Sequence, residues 1–490
     1  MIKRHRILVA AASLVVASAT LSVRAEQPTT QPSDYTQEIK ALRERLDQLE
    51  VRQKEADQKR VEAEQKLEAQ KTESAVKADA QHHDNLFDAG GITGGYINDR
   101  FTIQSDDGRF VLRPWYQLQI RYVTLWRQDF KPDGGDDTQT GFEIRRMKIG
   151  LDGNMFSPDF TYFFNWATNR ANGTSTVKSS TGATVGTVSN GLGGVPILEE
   201  AWVKYKFHNT DFYVQAGQLK DPVLHDQIVS SRYQQSAERS LTADIFTNGD
   251  AFTEGIMGIY DPKGWIRTVA GFNHGMRSAN TNFQDFPTNA YNWGVAGRAE
   301  VKVMGEWKDY SQVGAVGVKQ PLLVFGAGAD YSERGPANQT VFAIDGQFAG
   351  ASGFNMYGAY VGRYTNHNFG IPLTSSTGAS FATPNLNDAG KATYENSGLI
   401  QVGWLFNQHL EPFGRFEYMT LRGTPQGSID NDIPVITTGL NYYFFGHRAK
   451  LTAEVIYLPQ GIPIDDQGGD LLISNGKAEI SGVLQFQLLI

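Results

Sequence analysis

From Phe142 to Ala167 the chain reads FEIRRMKIGLDGNMFSPDFTYFFNWA, two stretches in which apolar and polar side chains change places residue by residue. Met147, Ile149 and Leu151 alternate with Arg146, Lys148 and Gly150. After a turn at residues 152–159, Phe160, Tyr162, Phe164 and Trp166 alternate with Thr161, Asn165 and Ala167. A period of two predicts paired strands with one apolar and one polar face, and a slip of one residue would turn every charge to the wrong side. Two architectures accommodate such a sheet. In a sandwich the apolar face packs on a second sheet; in a membrane barrel it meets lipid while the polar face lines water.

Apolar residues make up only 40% of the chain, and beyond residue 25 no apolar run is long enough for a spanning helix, which excludes a helical membrane protein. The 28 Phe, 20 Tyr, eight Trp and 51 Gly suit a sheet with aromatic girdles and tight turns. The absence of cysteine rules out disulfides, thiolate metal sites and a lipid-modified Cys, and it fits export through an oxidising compartment.

Residues 1–25 read as an export signal: Lys3, Arg4 and Arg6, an apolar run from Ile7 to Val16, and a small-residue cleavage site at Val23-Arg24-Ala25. Residues 26–33 form a Pro/Thr/Gln linker. Over residues 34–80, Ile39, Leu42, Leu46 and Leu49 start a heptad seam that continues through Gln53, Ala56, Arg60, Ala63 and Leu67. This predicts a short periplasmic coiled coil that needs further oligomer contacts; the alternative is a solvated helix or spacer. Residues 81–100 read as a second linker, in which His82-His83-Asp84 lacks a partner at metal-ligand spacing.

The segment 101–490 holds sixteen alternating stretches, at about 110–128, 142–152, 159–168, 198–208, 211–219, 252–261, 265–274, 291–303, 321–330, 340–349, 353–364, 396–406, 412–421, 434–444, 448–458 and 479–489. Long polar connections alternate with short ones, the pattern of an all-β, sixteen-stranded antiparallel transmembrane barrel. Residues 304–320 break that rule, being long where a short turn is due, which puts the two flanking strand ends in question.

Strand parity separates the two faces. Leu112, Tyr116, Leu118, Ile120 and Tyr122 share the apolar side, which leaves Arg113, Gln117, Gln119 and Arg121 inside. Parity also directs Arg146, Lys148, Lys204, Lys206, Arg267, Arg298, Lys302, Arg415 and Lys450 inward, with Glu300, Glu417 and Glu454, because charge facing lipid at mid-depth costs about 2–4 kcal/mol. Arg145 and Arg146 cannot both point inward along a regular strand. The change of parity between Ile144 and Met147 predicts a bulge there. The connection 220–251 lacks alternation and is long for a mere link, so it is expected to fold into the lumen and narrow it.

Four stretches in order carry a resemblance: FTIQSDDGRFVLRPWYQLQIRY at 101–122, FEIRRMKIGLDG at 142–153, EEAWVKYKF followed by VQAGQLKDPV at 199–223, and SAERSL at 236–241 before FTNGD. Together they make the chain resemble the phosphate-selective porin O/P family of Gram-negative outer membranes. The resemblance implies a trimeric, sixteen-stranded porin whose third external loop enters the lumen and whose arginines and lysines draw phosphate. Arg145 and Arg146 match its paired-arginine motif, and Lys220 lies in its constriction-loop motif.

Two features depart from that pattern. The chain ends FQLLI, with Ile490 where such barrels commonly end in an aromatic. Residues 1–100 take 15 of the 45 basic and 16 of the 53 acidic side chains, leaving 30 and 37 for the barrel, a net of −7. Anion attraction therefore has to come from local lining.

The expected function is passive diffusion of small hydrophilic solutes, anions such as phosphate first, with Arg113, Arg121, Arg146, Lys148, Lys220 and Arg232 as pore-lining or anion-binding residues. A non-selective porin and an envelope-tethering barrel gripping the cell wall are the alternatives. The expected partners are outer-membrane lipid, two further copies of the chain and small anions, with no nucleic acid, cofactor or metal. No Gly-x-Ser-x-Gly elbow, phosphate loop or metalloprotease His pair supports catalysis.

Overall fold

Each alternating stretch forms a strand in the computed structural model of the chain. The structure describes residues 91–490 except 98–99, 131–136, 169–172, 179–183, 191–195, 248–251, 277, 279–290, 335–336, 367–372, 375–379, 382–391, 423–431, 463–468, 473 and 475. Of Met1–Ala89, a separate compact unit, it describes Lys40, Ala41, Glu44, Arg45 and Gln48, all helical. The export signal, the linker 26–33, the heptad seam and the His82-His83-Asp84 cluster lie outside the described residues.

The barrel strands are β1 (Val111–Arg127), β2 (Thr138–Asn154), β3 (Phe160–Ala167), β4 (Ile197–Lys206), β5 (Phe212–Lys220), β6 (Phe252–Tyr260), β7 (Ile266–Asn273) and β8 (Trp293–Met304). They continue as β9 (Leu322–Arg334), β10 (Ala337–Ala349), β11 (Phe354–Asn366), β12 (Thr393–Trp404), β13 (Leu410–Thr420), β14 (Asp432–Tyr443), β15 (Ala449–Leu458) and β16 (Glu479–Leu489). Every neighbour pairs antiparallel, and β16 closes on β1 from Glu479↔Arg127 to Leu489↔Gln117. Ile490 completes the seam, its N–H donating to Tyr116 O at 3.0 Å and its carbonyl accepting from Tyr116 N at 2.9 Å. The FQLLI ending thus forms a regular last strand.

Burial is inverted relative to a soluble domain. Ile120, Ile149, Ile256, Phe325, Ile344, Ile400, Phe416 and Leu484 are exposed around the outside, while Gln119, Arg121, Arg298, Glu417, Lys450 and Gln485 are buried inside. An apolar outer wall needs lipid as its solvent. Aromatic contacts mark both rims: Phe354, Trp404 and Phe406 at the short turns, and Phe272, Trp293 and Tyr331 at the long loops.

Four local outcomes refine the sequence reading. The ladder between β1 and β2 shifts register at Gln119/Ile120, so Gln119 faces Arg146 and Ile120 faces Ile144, and Arg145 is the bulged residue. Both arginines consequently turn inward and are buried. The expected loop 331–339 shrinks to 335–336, because β9 and β10 continue pairing to Arg334↔Ala337. The connection 305–321 is a genuine long link between strands whose ends stand where the alternation placed them. Within the stretch read as a linker, Ile92–Ile97 pairs with Arg100–Ser105, and this hairpin joins β1 through Ile103↔Leu112. Its short strands and Gly94-Gly95 hid it from periodicity.

Candidate functional site: the constriction

After β5 the chain turns into the lumen, and apolar contact holds it there. Val223, Leu224, Leu241, Ala243, Ile245 and Phe246 are buried against Val341, Val361, Met419, Ile433, Val435 and Leu458, which point inward from β10, β11 and β13–β15. This apolar patch sits on an otherwise polar inner face. Burying the loop obliges its backbone groups to find partners, and the wall supplies them. Glu417 accepts from Leu241 N and Thr242 N at 3.2 and 2.8 Å, and Glu454 from Ser236 Oγ and Ala237 N at 2.7 and 3.0 Å. Lys450 Nζ donates to Gln234 O at 2.9 Å, and Arg363 Nη1 to Ile245 O at 2.9 Å.

Lys220 ends β5 with its Nζ donating to the carbonyls of Gln227, Ile228 and Val229 at 3.1, 3.0 and 3.2 Å. These carbonyls close the single helical turn His225–Ile228. A cation at that end satisfies acceptors that the helix leaves without partners.

Glu238 is the loop's electrostatic anchor. Arg145 Nε reaches Oε1 at 2.6 Å, Arg146 Nη2 reaches Oε2 at 2.6 Å, and Arg121 Nη1 reaches Oε1 at 2.8 Å. Burial by itself would raise the carboxyl's pKa, but Arg145, Arg146 and Arg121 outweigh it and hold it at about 2. The bulge at Arg145 brings the paired arginines to one carboxylate.

A second segment enters from the opposite rim. Within 305–321, Tyr310 stacks on His225 with centroids 3.7 Å apart and planes 10° apart, and Val313 N donates to Tyr233 O at 3.1 Å. Burial draws the His225 pKa down to about 4, so the ring is neutral at pH 7, and its Nε2 lies 2.9 Å from Gln347 Oε1. The length that the strand count flagged as irregular is therefore a prop beneath the loop.

Between the loop and the wall β1–β8 lies a cavity of about 480 Å³. Lys148, Lys204, Lys220, Arg232, Arg239, Arg267 and Arg298 line it, against Glu199, Glu200, Asp261 and Glu300. Seven cations to four carboxylates make this lining basic inside an acidic chain. Lys148 pairs with Glu199 at 2.6 Å, Arg267 pairs with Glu300, and Arg298 is held by Asp345 and Glu300 at 2.7 Å each. Arg232 donates to Ser230 Oγ at 3.2 Å. Neither Arg232 nor Lys204 forms an ion pair among the described residues.

Of the six residues singled out by sequence, Lys148, Lys220 and Arg232 line this cavity. Arg121 and Arg146 face inward but are buried against Glu238, and Arg113 faces Asp152 at 3.5 Å near the short-turn rim. Lys204 and Arg267 had been directed inward by parity without being singled out. The role of Glu238 had no sequence signal, because a loop carboxylate becomes an anchor only once the bulge sets three guanidiniums around it. Trp115, Phe163 and Trp202 also line the cavity, and each was visible as an aromatic on the polar parity of its strand. Among the described residues no cluster of three or more potential metal ligands occurs.

Residues 120–367 match the family model described as phosphate-selective porin O and P. A search of curated proteins finds no match. Among solved structures, the anion-selective porin from Comamonas acidovorans is similar at 9% identity and a TM-score of 0.51, covering 77% of this chain and 99% of that one. The outer membrane channel DcaP of Acinetobacter baumannii is similar at 12% identity and a TM-score of 0.45, covering 79% and 99%. Salmonella typhi OmpF, in complex with daunomycin, is similar at 13% identity and a TM-score of 0.46, covering 78% and 99%.

Proposed function

The chain belongs to the phosphate-selective porin O and P family, and from that premise we propose that this outer-membrane porin passes small anions, phosphate among them, along the basic cavity beside its constriction loop. The observation that carries the reading is the lining: seven cations to four carboxylates, with Arg232 and Lys204 free of ion pairs among the described residues. A solute that sheds part of its hydration in a narrow lumen meets charges whose field is concentrated by low-dielectric walls. Arg232 and Lys204 recruit it. Each contact must be weak enough to release the ion, and several adjacent cations allow it to pass from one to the next. Arg121 and Arg146 have a different task, fixing the loop through Glu238. The passage requires no bond chemistry. Assembly as a trimer and a periplasmic coiled coil complete the proposed arrangement in the outer membrane.

Reversal potential of the refolded protein in planar bilayers under a KCl gradient tests this. We expect chloride preference, partial block by added phosphate, and loss of both in the Arg232→Ala/Lys204→Ala double variant. Potassium preference in the unaltered protein would reject the anion reading and leave a general porin; no conductance would reject the pore and favour an envelope tether.

A further inference from the structure

Trp115, Phe163 and Trp202 form a stacked row on the inner wall of the cavity. Trp115 and Phe163 have centroids 5.8 Å apart and planes 29° apart, and Phe163 and Trp202 have centroids 5.5 Å apart and planes 13° apart. Trp115 belongs to β1 and Phe163 to β3, with β2 between them. Its indole crosses that strand above Gly150, where a Cβ would come within 2.1 Å of the ring. The row therefore depends on the missing side chain at Gly150.

Both ends of the row carry a cation. The Arg232 guanidinium lies 4.1 Å from the Trp115 ring centroid, and Lys204 Nζ lies 5.5 Å from that of Trp202. Neither of these two cations forms an ion pair among the described residues. Phe163 and Trp202 are only half-buried, so apolar ring surface faces the cavity at the level where charge is available. Leaving such surface open to water costs about 25 cal/mol per Å², and a lumen shaped for inorganic ions alone gains nothing from it.

We propose that the constriction selects anions whose charged group is carried on a ring with an apolar face, the ring packing along Trp115–Phe163–Trp202 while the anionic group pairs with Arg232 or Lys204. This rests on the basic-pore reading and deepens it. Aromatic carboxylates and ring sugars bearing a phosphate share the required chemistry, an apolar face with an anion at its edge.

Benzoate and acetate carry the same carboxylate and differ in the ring; glucose 6-phosphate and inorganic phosphate are the corresponding pair for a sugar. Half-blocking concentrations are read from single-channel current in the refolded full chain. We expect benzoate to block about three- to tenfold more tightly than acetate, the range of one added aromatic contact. Phe163→Leu and Trp202→Leu, made separately so that one misfolding variant leaves the other, bring that ratio close to one. A margin for glucose 6-phosphate over phosphate supports the proposal with sugars included, and a margin for benzoate alone supports it for aromatic anions. Equal block by benzoate and acetate in a chloride-preferring channel overturns the ring selection and leaves the basic pore standing. A benzoate margin that survives both substitutions also overturns it, because the preference then arises elsewhere. Potassium preference overturns the basic pore itself, and with it the site proposed here.

Discussion

At the scale of single residues, the constriction is governed by how its charges are paired. Glu238 bridges three buried guanidiniums, of which Arg121 also pairs with Glu143 and Asp470. Glu238→Gln should therefore destabilise the loop by roughly 3–5 kcal/mol, the usual cost of breaking a buried ion pair. The expected readouts are a lower urea midpoint and a larger, noisier single-channel current. The same group sets a pH dependence. Its folded pKa of about 2 lies below the ordinary 4.5, so its contribution is present in full above pH 4.5 and is lost as the pH falls toward 2. Conductance followed from pH 8 downward should stay free of loop noise to about pH 5 and become unstable between pH 4 and 2. Arg146 was legible as an inward arginine from parity alone. Its pairing with Glu238 was not, because the partner lies 92 residues away along the chain.

At the scale of elements, two inserts from opposite rims brace each other, the loop 221–251 and the connection 305–321. The stack of Tyr310 on His225, the bond from Val313 to Tyr233 and the packing of Val313 with Val229 are among their contacts. Replacing residues 306–320 with a two-residue turn should leave the strand register intact, since β8 and β9 pair along their length from Trp293↔Glu333 to Met304↔Leu323. It should remove the loop's lower support, with higher conductance and faster proteolysis within 221–247 as the readouts. An unchanged conductance would show that the apolar contacts of Val223, Leu224, Ile245 and Phe246 suffice. The strands were readable because each needs only its own alternation. The inward fold of 305–321 showed in the sequence only as a length out of place.

For the whole molecule, closure through β16 and β1 makes the barrel complete within its own unit. Deleting residues 34–80 should therefore leave single-channel conductance unchanged. Loss of envelope attachment in the same variant, measured by co-sedimentation with cell-wall fragments, would give the N-terminal unit a tethering role. The acidic net charge of the chain and the basic cavity coexist because a permeating ion responds to charges within about a Debye length, near 8 Å at physiological salt.

The sequence alone determined what rests on local periodicity: sixteen strands, the face each turns to lipid, the alternation of rims, and the bulge where two arginines break parity. A strand's two faces follow from its own pleat, so no distant contact is needed to read them. Tertiary structure alone decided which inward charges remain available. Arg121 and Arg146 are consumed by Glu238, Lys220 by three carbonyls, and Lys148 by Glu199, whereas Arg232 and Lys204 stand beside a row of rings assembled from three strands across a glycine. Pairing of charges and stacking of rings depend on distances across the closed lumen, and those distances exist only once the barrel has closed and the loop has folded into it.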